Sequence, residues 1–109
     1  MELIEIAKKY FEFFSNKDIQ NLKNLFSENI ILKDWEIEAN GIKSVLEANQ
    51  NIFNSVDSIV VSLRNIYQDK LVLICVIDLV INNTQKLKVI DILKFNSSKK
   101  IEEILAFKQ

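Results

Sequence analysis

The first half of the chain carries apolar residues at helical spacing. Over residues 2–14 they recur every three or four positions with charged residues opposite, which predicts an amphipathic helix. Shorter stripes over 19–26 and 42–53 predict two more helices, the third beginning after Gly41. Between them, residues 30–32 read as a short strand. We therefore expect three helices and one strand in this half.

The second half changes to the pattern of a sheet. β-branched and apolar residues dominate four runs, at 56–67, 71–81, 86–95 and 100–107. The runs are separated by three turn-forming triplets: Gln68-Asp69-Lys70, Asn82-Asn83-Thr84 and Asn96-Ser97-Ser98. Such short connections favour antiparallel neighbours. Helices first and a meander last predict an α+β fold whose helices cover one face of the sheet.

Run 86–95 alternates between two faces, and Asp91 is the one charge on the apolar face. That face comprises Leu87, Val89, Asp91, Leu93 and Phe95. A two-residue turn at Asn83-Thr84 would pair Asp91 with Val76 and Asp78 with Val89, so that both aspartates point inward. The alternative is that Asp78 meets solvent near a strand end, or that a shifted register turns it outward.

A carboxylate on a buried face is costly when ionised. It is normally hydrogen-bonded, paired or protonated, and a second carboxylate nearby raises the pKa of at least one of the two. Such perturbed groups often mark functional sites. Asp91 therefore predicts a polar site within an apolar pocket.

The opposite face of the same run predicts self-association. Ile90 and Ile92 lie there among lysines, whereas a face open to water would more usually be polar throughout. A second copy of the chain, packed sheet to sheet, is the simplest cover. We expect a homodimer through the sheet.

Composition limits the remaining choices. The chain has 109 residues, 49% of them apolar, and a net charge of -1, which suits a single domain over 1–109. Its basic residues are scattered, so we expect no nucleic acid partner. The longest apolar run, 71–81, is far shorter than the roughly 20 residues of a membrane helix, so we expect no membrane span. The amino terminus lacks the features of a signal peptide, which makes the cytoplasm the expected location.

Missing residue types exclude several chemistries. The chain has no histidine, one cysteine (Cys75) and one glycine (Gly41). These absences argue against zinc, haem and copper sites, disulfides, histidine-activated nucleophiles and glycine-rich phosphate loops. We expect no metal and no cofactor, although magnesium held by Asp34, Asp78 and Asp91 is an open alternative without support from spacing. Any acid–base catalysis must therefore use Asp, Glu, Tyr or Lys side chains. We interpret Cys75 as a small hydrophobic residue.

With Tyr10 in the first helix, Asp34 after the first strand and Asp91 within 89–96, the chain resembles the NTF2-like superfamily, in its ketosteroid isomerase and SnoaL-like branch. The order of elements matches over nearly the whole chain. The resemblance implies a cone-shaped, cystatin-like fold, with three helices packed on a curved antiparallel sheet that encloses a pocket.

The resemblance also implies roles. Asp34 falls on the general base of the isomerases, and Tyr10 and a neutral Asp91 fall on the two donors of their oxyanion hole. The implied reaction is isomerisation through an enolate, or a SnoaL-like cyclisation, on a small apolar or carbonyl-containing ligand. The expected pocket is completed by Trp35, Val76, Asp78, Val89, Leu93 and Phe107.

The sequence also departs from the family pattern. Trp35 stands where the isomerases have proline, and Asp78 stands at an apolar pocket position, which leaves the steroid substrate in doubt. The single arginine, Arg64, disfavours the epoxide hydrolase branch. Each candidate residue also has a purely structural interpretation: Tyr10 as a core residue, Asp34 as a turn residue and Trp35 as a packing residue. The competing function is a non-catalytic ligand-binding or dimerisation module of the same fold.

Overall fold

The computed structural model describes residues 1–109 as three α-helices and six β-strands. They are α1 (Leu3–Ser15), α2 (Ile19–Leu25), β1 (Phe26–Lys33), β2 (Glu38–Asn40), α3 (Ile42–Ser55), β3 (Ile59–Asp69), β4 (Val72–Ile81), β5 (Gln85–Phe95) and β6 (Ile101–Lys108). The predicted α+β class and the three helices are confirmed. Strand β2 was missed, because three residues are too few to show a period.

The six strands form one mixed sheet in the order β2-β1-β6-β5-β4-β3. Neighbours are antiparallel except for β1 and β6, which run parallel. The prediction that neighbouring strands are antiparallel was therefore wrong for β1 and β6. β1 is joined to the meander through β2 and α3, and such a crossover permits parallel pairing. β1 also begins at Phe26, which was assigned to the second helix, because Phe26 has extended backbone and pairs with Ile101.

The sheet is curved, and the helices pack against one of its faces, here called the inner face. Register shifts interrupt the ladders between Leu63 and Asn65, between Lys94 and Phe95, and between Phe26 and Ile31. Such irregularities bend a strand and increase its twist. The inner face carries the buried core residues of strands β4, β5 and β6: Leu73, Cys75, Ile77, Val89, Asp91, Leu93, Phe95, Ile101 and Ile104.

Three local features lie at helix ends: a side-chain cap, a glycine and a serine. Asp18 caps α2 by accepting a hydrogen bond from the Asn21 backbone at 3.1 Å. Gly41 precedes α3 with a φ of 89°, a conformation that residues with a Cβ rarely adopt. At the end of α1, the Ser15 hydroxyl donates to the Phe11 carbonyl and accepts from the Val61 backbone N–H at 2.9 Å. This pair of bonds ties α1 to β3.

The register between β4 and β5 corrects the predicted position of Asp78. Ile81 pairs with Gln85, so the connection has three residues instead of two. Asn82 is held out of the ladder because its side-chain oxygen accepts hydrogen bonds from the Asp57 and Ser58 backbones, at 2.7 and 3.2 Å. The one-residue shift moves Asp78 to the other face of the sheet.

The outer face of the sheet therefore holds three residues predicted for the pocket. Asp78 lies opposite Lys88 and pairs with Arg64, with Nε and Oδ2 2.6 Å apart. Val76 and Phe107 both lie beside Ile90 on the same face, and Phe107 is 56% exposed. Their assignment to the pocket was wrong.

Leu93 was also predicted to line the pocket and does not, for a different reason. It lies on the inner face but is fully buried in the core, and it does not line the cavity described below.

Among the helices, none is long and apolar enough to cross a bilayer.

Candidate functional site

A cavity of about 300 Å³ lies between the helices and the inner face of the sheet. Its walls are mainly apolar, with contributions from α1, α3 and strands β1 and β3–β6. Its volume lies at the small end of the range for ligand pockets, roughly 300–1,000 Å³. The structure brings five predicted site residues together here: Tyr10, Asp34, Trp35, Val89 and Asp91.

Asp91 provides the buried carboxyl group of the cavity. It lies at the middle of β5, is 7% exposed and stands between Cys75 and Ala106 on the neighbouring strands. Burial, followed by the charge of Asp34, raises the pKa of the Asp91 carboxyl to about 7. A large fraction of Asp91 is therefore protonated at neutral pH and can donate a hydrogen bond.

Tyr10 places a phenol in the same cavity. It lies on the buried side of α1, and its ring contacts those of Phe11 and Phe26, with centroids 5.1 and 6.2 Å away. Burial raises the pKa of the Tyr10 hydroxyl well above its usual value, and the charges of Asp91, Cys75 and Asp34 raise it further. The phenol therefore stays neutral and remains a hydrogen-bond donor.

Asp34 is held at the edge of the cavity by a tight turn after β1. Its Oδ1 accepts hydrogen bonds from the backbone N–H groups of Glu36 and Ile37, at 2.7 and 2.6 Å. This arrangement is an Asx-turn, so Asp34 is also the turn residue of the alternative interpretation. Since both bonds use Oδ1, the second oxygen remains available to a ligand. Asp34 is only partly buried, in contrast to Asp91.

Trp35 and Lys108 lie together at the rim. Trp35 is 41% exposed and lines the cavity beside Asp34. The Lys108 ammonium lies 5.5 Å from the centroid of the indole ring, within the range of a cation–π interaction. The contact joins the end of β6 to the turn that carries Asp34.

Asn49 is a polar cavity residue that sequence reasoning missed. It lies in α3, is 2% exposed, and its Oδ1 has no hydrogen-bond partner. The signal was present, because Asn49 interrupts the apolar stripe that includes Val45 and Phe53. The reasoning applied to Asp91 on its strand would have identified Asn49 on its helix.

Cys75 and the aspartates form neither a nucleophile pair nor a metal centre. Burial, followed by the charge of Asp91, raises the pKa of the Cys75 thiol to about 12, so the thiolate is scarce at neutral pH. No group of three or more His, Cys, Asp or Glu side chains lies close enough to hold a metal ion. The set of Asp34, Asp78 and Asp91 cannot form, since Asp78 lies on the outer face.

Comparisons of structure identify the fold. A candidate isomerase of the SnoaL-like family from Agrobacterium tumefaciens superposes with a TM-score of 0.86 over 97% of this chain and 96% of its own, at 12% identity. An NTF2-like protein of unknown function from Cytophaga hutchinsonii gives 0.85 over 100% and 91%, at 6% identity. The chain has the NTF2-like fold. A candidate ketosteroid isomerase from Kribbella flavida gives 0.84 over 96% and 76%, at 15% identity.

The NTF2-like fold agrees with the fold that the family resemblance of the sequence implied. No family model and no curated protein matches the sequence. At these low identities, the likeness to NTF2-like structures establishes the fold, so the chemistry must be argued from the side chains in the cavity.

Proposed function

We propose that this protein transfers a proton next to a carbonyl group of a small apolar ligand, through an enolate. The observation that carries the proposal is the buried Asp91 carboxyl, whose raised pKa favours the neutral form, in one cavity with Tyr10 and Asp34. Pairs of carboxyl groups in contrasting environments are typical of acid–base sites. The names of the similar Agrobacterium and Kribbella proteins point to the same reaction class.

The three side chains have separate roles in this reaction. The Asp34 carboxylate takes a proton from the carbon beside the carbonyl, and the electron pair of that C–H bond moves toward the carbonyl oxygen. Tyr10 and protonated Asp91 donate hydrogen bonds to the enolate oxygen. When a C=C bond lies next to that carbon, the enolate extends along it, and Asp34 returns the proton to the far carbon of that C=C bond. The electron pair on the oxygen re-forms the C=O bond and the C=C bond shifts toward the carbonyl, which restores the charge of Asp34 and completes the isomerisation. Well-aimed donors of this kind each lower such a barrier by about 3 kcal/mol.

The cavity favours a neutral ligand with a carbonyl group. Its interior carries no basic side chain, and its one nearby cation, Lys108, is engaged with Trp35 at the rim. The apolar walls suit a hydrocarbon body of one or two rings. We therefore propose a small cyclic ketone, or a related carbonyl compound, as the substrate class.

A pH titration of the side-chain carboxyls by NMR tests this proposal. Asp91 should titrate near pH 7, because burial disfavours its charged form. A planar phenol, which mimics the enolate, should bind and shift the signals of Tyr10 and Asp91 while leaving those of Asp78 on the outer face unchanged. Aspartates that all titrate near pH 4, with no binding of the phenol, would contradict the proposal.

The outer face supports a second proposal, which is dimerisation. Dimerisation is also the function expected if the protein is a non-catalytic module. Four neighbouring large apolar side chains on this face are exposed to solvent: Tyr67, Ile74, Ile90 and Phe107. We call them the outer patch. Contiguous exposed apolar surface often marks a protein interface. We propose a homodimer in which two outer patches pack together.

Ile90→Lys should dissociate this dimer. Ile90 is 41% exposed beside Phe107, and a lysine pair at a two-fold interface would bring like charges into an apolar contact. Leu71→Lys is the matched control, since Leu71 is 44% exposed in the turn between β3 and β4, outside the outer patch. Sedimentation analysis should show a dimer for the wild type and the control, and a monomer for Ile90→Lys. A monomeric wild type at high micromolar concentration would refute the dimer.

A further inference from the structure

We infer that Asn49 is a ligand-recognition residue and that the ligand carries a hydroxyl group in addition to its carbonyl. This inference rests on the proposed function and adds a second polar contact to the same cavity. Asn49 lies in α3, lines the cavity, is 2% exposed, and leaves its Oδ1 without a partner.

An unpaired amide oxygen is an unfavourable feature in a protein interior. Most buried polar atoms have a hydrogen-bond partner, and an unpaired acceptor loses its bonds to water without replacement. The neighbouring inward positions of α3, Val45 and Phe53, are apolar and fully or almost fully buried. An apolar residue of similar size would suit position 49 better in the empty protein. A ligand that bonds to the amide explains why asparagine occupies it.

The chemistry of the amide selects a hydroxyl over a second ketone. A carboxamide has an accepting oxygen and a donating nitrogen. A hydroxyl can donate to Oδ1 and can also accept from Nδ2, whereas a ketone can only accept. The unpaired Oδ1 thus needs a donor from the ligand, whereas Tyr10 and protonated Asp91 donate to a carbonyl oxygen.

Two contacts of opposite polarity determine the orientation of a ligand. In the favoured orientation the carbonyl lies at Tyr10 and Asp91 and the hydroxyl lies at Asn49. In the reversed orientation a carbonyl at Asn49 could accept from Nδ2 but would leave Oδ1 without a donor. The substrate class becomes a hydroxylated ketone small enough for a cavity of about 300 Å³. This orientation would present one particular C–H bond to Asp34.

Phenol probes test the inference on the intact protein. We would compare the affinity of 2-naphthol with that of the naphthalenediols that carry a second hydroxyl on the same ring system, by calorimetry. At least one diol should bind wild-type protein about tenfold more tightly, as expected for one added hydrogen bond that satisfies a buried group. Asn49→Leu should abolish this advantage. Asn51→Leu, the same substitution at an exposed position of the same helix, should keep it.

Thermal unfolding without a probe gives an independent readout. Asn49→Leu removes an unpaired polar group, so the Tm of the free protein should rise by about 4 °C or more, while Asn51→Leu should change it little. A lower Tm for Asn49→Leu would show that the amide already has a structural role, and would overturn the inference.

The outcomes separate the inference from the proposed function. If no diol binds more tightly than 2-naphthol, or if Asn49→Leu keeps the advantage, the Asn49 inference is wrong. The proposed function then still stands when Tyr10→Phe weakens the binding of 2-naphthol. If 2-naphthol does not bind wild-type protein at all, the proposed function fails and the inference fails with it.

Discussion

Asp34→Asn is expected to slow proton exchange at the carbon beside a carbonyl by about 10²–10⁴-fold, the usual contribution of a general base. The variant replaces the carboxylate by an amide that cannot accept the proton. Its side-chain oxygen can still accept the two backbone hydrogen bonds of the turn, which now join Oδ1 to Glu36 and Ile37. A lower exchange rate would therefore reflect the loss of the general base and not a change in folding.

The measurement uses a panel of small cyclic ketones in D₂O, with deuterium incorporation followed by NMR. Asp78→Asn is the matched control, because it makes the same substitution on the outer face, where Asp78 pairs with Arg64. Wild type and Asp78→Asn should exchange the same ketones at similar rates. Equal rates for Asp34→Asn and wild type would remove Asp34 from the mechanism.

Asp91→Asn is expected to stabilise the protein at high pH and to have much less effect at low pH. The folded-state pKa of Asp91 is about 7, whereas an aspartate in the unfolded chain has a pKa near 4. As the pH rises from about 4 to 7, the unfolded chain releases this proton while the folded protein retains it. The contribution of Asp91 to stability is therefore fully present below pH 4 and is lost as the pH rises through 7.

The expected size follows from the shift of the pKa. From about 4 to about 7, the loss amounts to roughly 4 kcal/mol as an upper limit, since one pKa unit corresponds to about 1.4 kcal/mol. The asparagine variant does not titrate at this position. Its advantage over wild type in free energy of unfolding, measured with urea at pH 4 and pH 8, should grow by up to that amount.

Asp78→Asn serves again as the control for stability. Asp78 is partly exposed and paired on the outer face, so this variant should show no such growth between the two pH values. Parallel stability curves for Asp91→Asn and wild type would mean that Asp91 is ionised in the folded protein. That result would also remove it as a hydrogen-bond donor to an enolate.

Much of the candidate site could be predicted from sequence, because local periodicity decides which face a side chain occupies. Alternation along β5 places Asp91 among apolar residues, and the structure shows it buried on the inner face. Helical spacing places Tyr10 on the buried side of α1 in the same way. Their meeting with Asp34 in one cavity followed from the family resemblance, since no local pattern links residues so distant in the chain.

Asp78 shows where such prediction fails. Its own strand is periodic, but its face relative to Asp91 depends on the length of the turn between β4 and β5. That length depends on Asn82, whose side chain bonds to the backbone of Asp57 and Ser58, 25 and 24 positions away. A contact between distant segments thus decided the register, and the register decided which aspartate entered the cavity.

The sequence by itself therefore determined the α+β class, the three helices, the four-strand meander and the burial of Tyr10 and Asp91, because all of these depend on short-range periodicity. The tertiary structure alone decided the parallel pairing of β1 with β6, the outward position of Asp78 and the unpaired state of Asn49. Each of these depends on which distant segments come into contact. A pattern read along one strand or helix carries no information about the partner that packs against it.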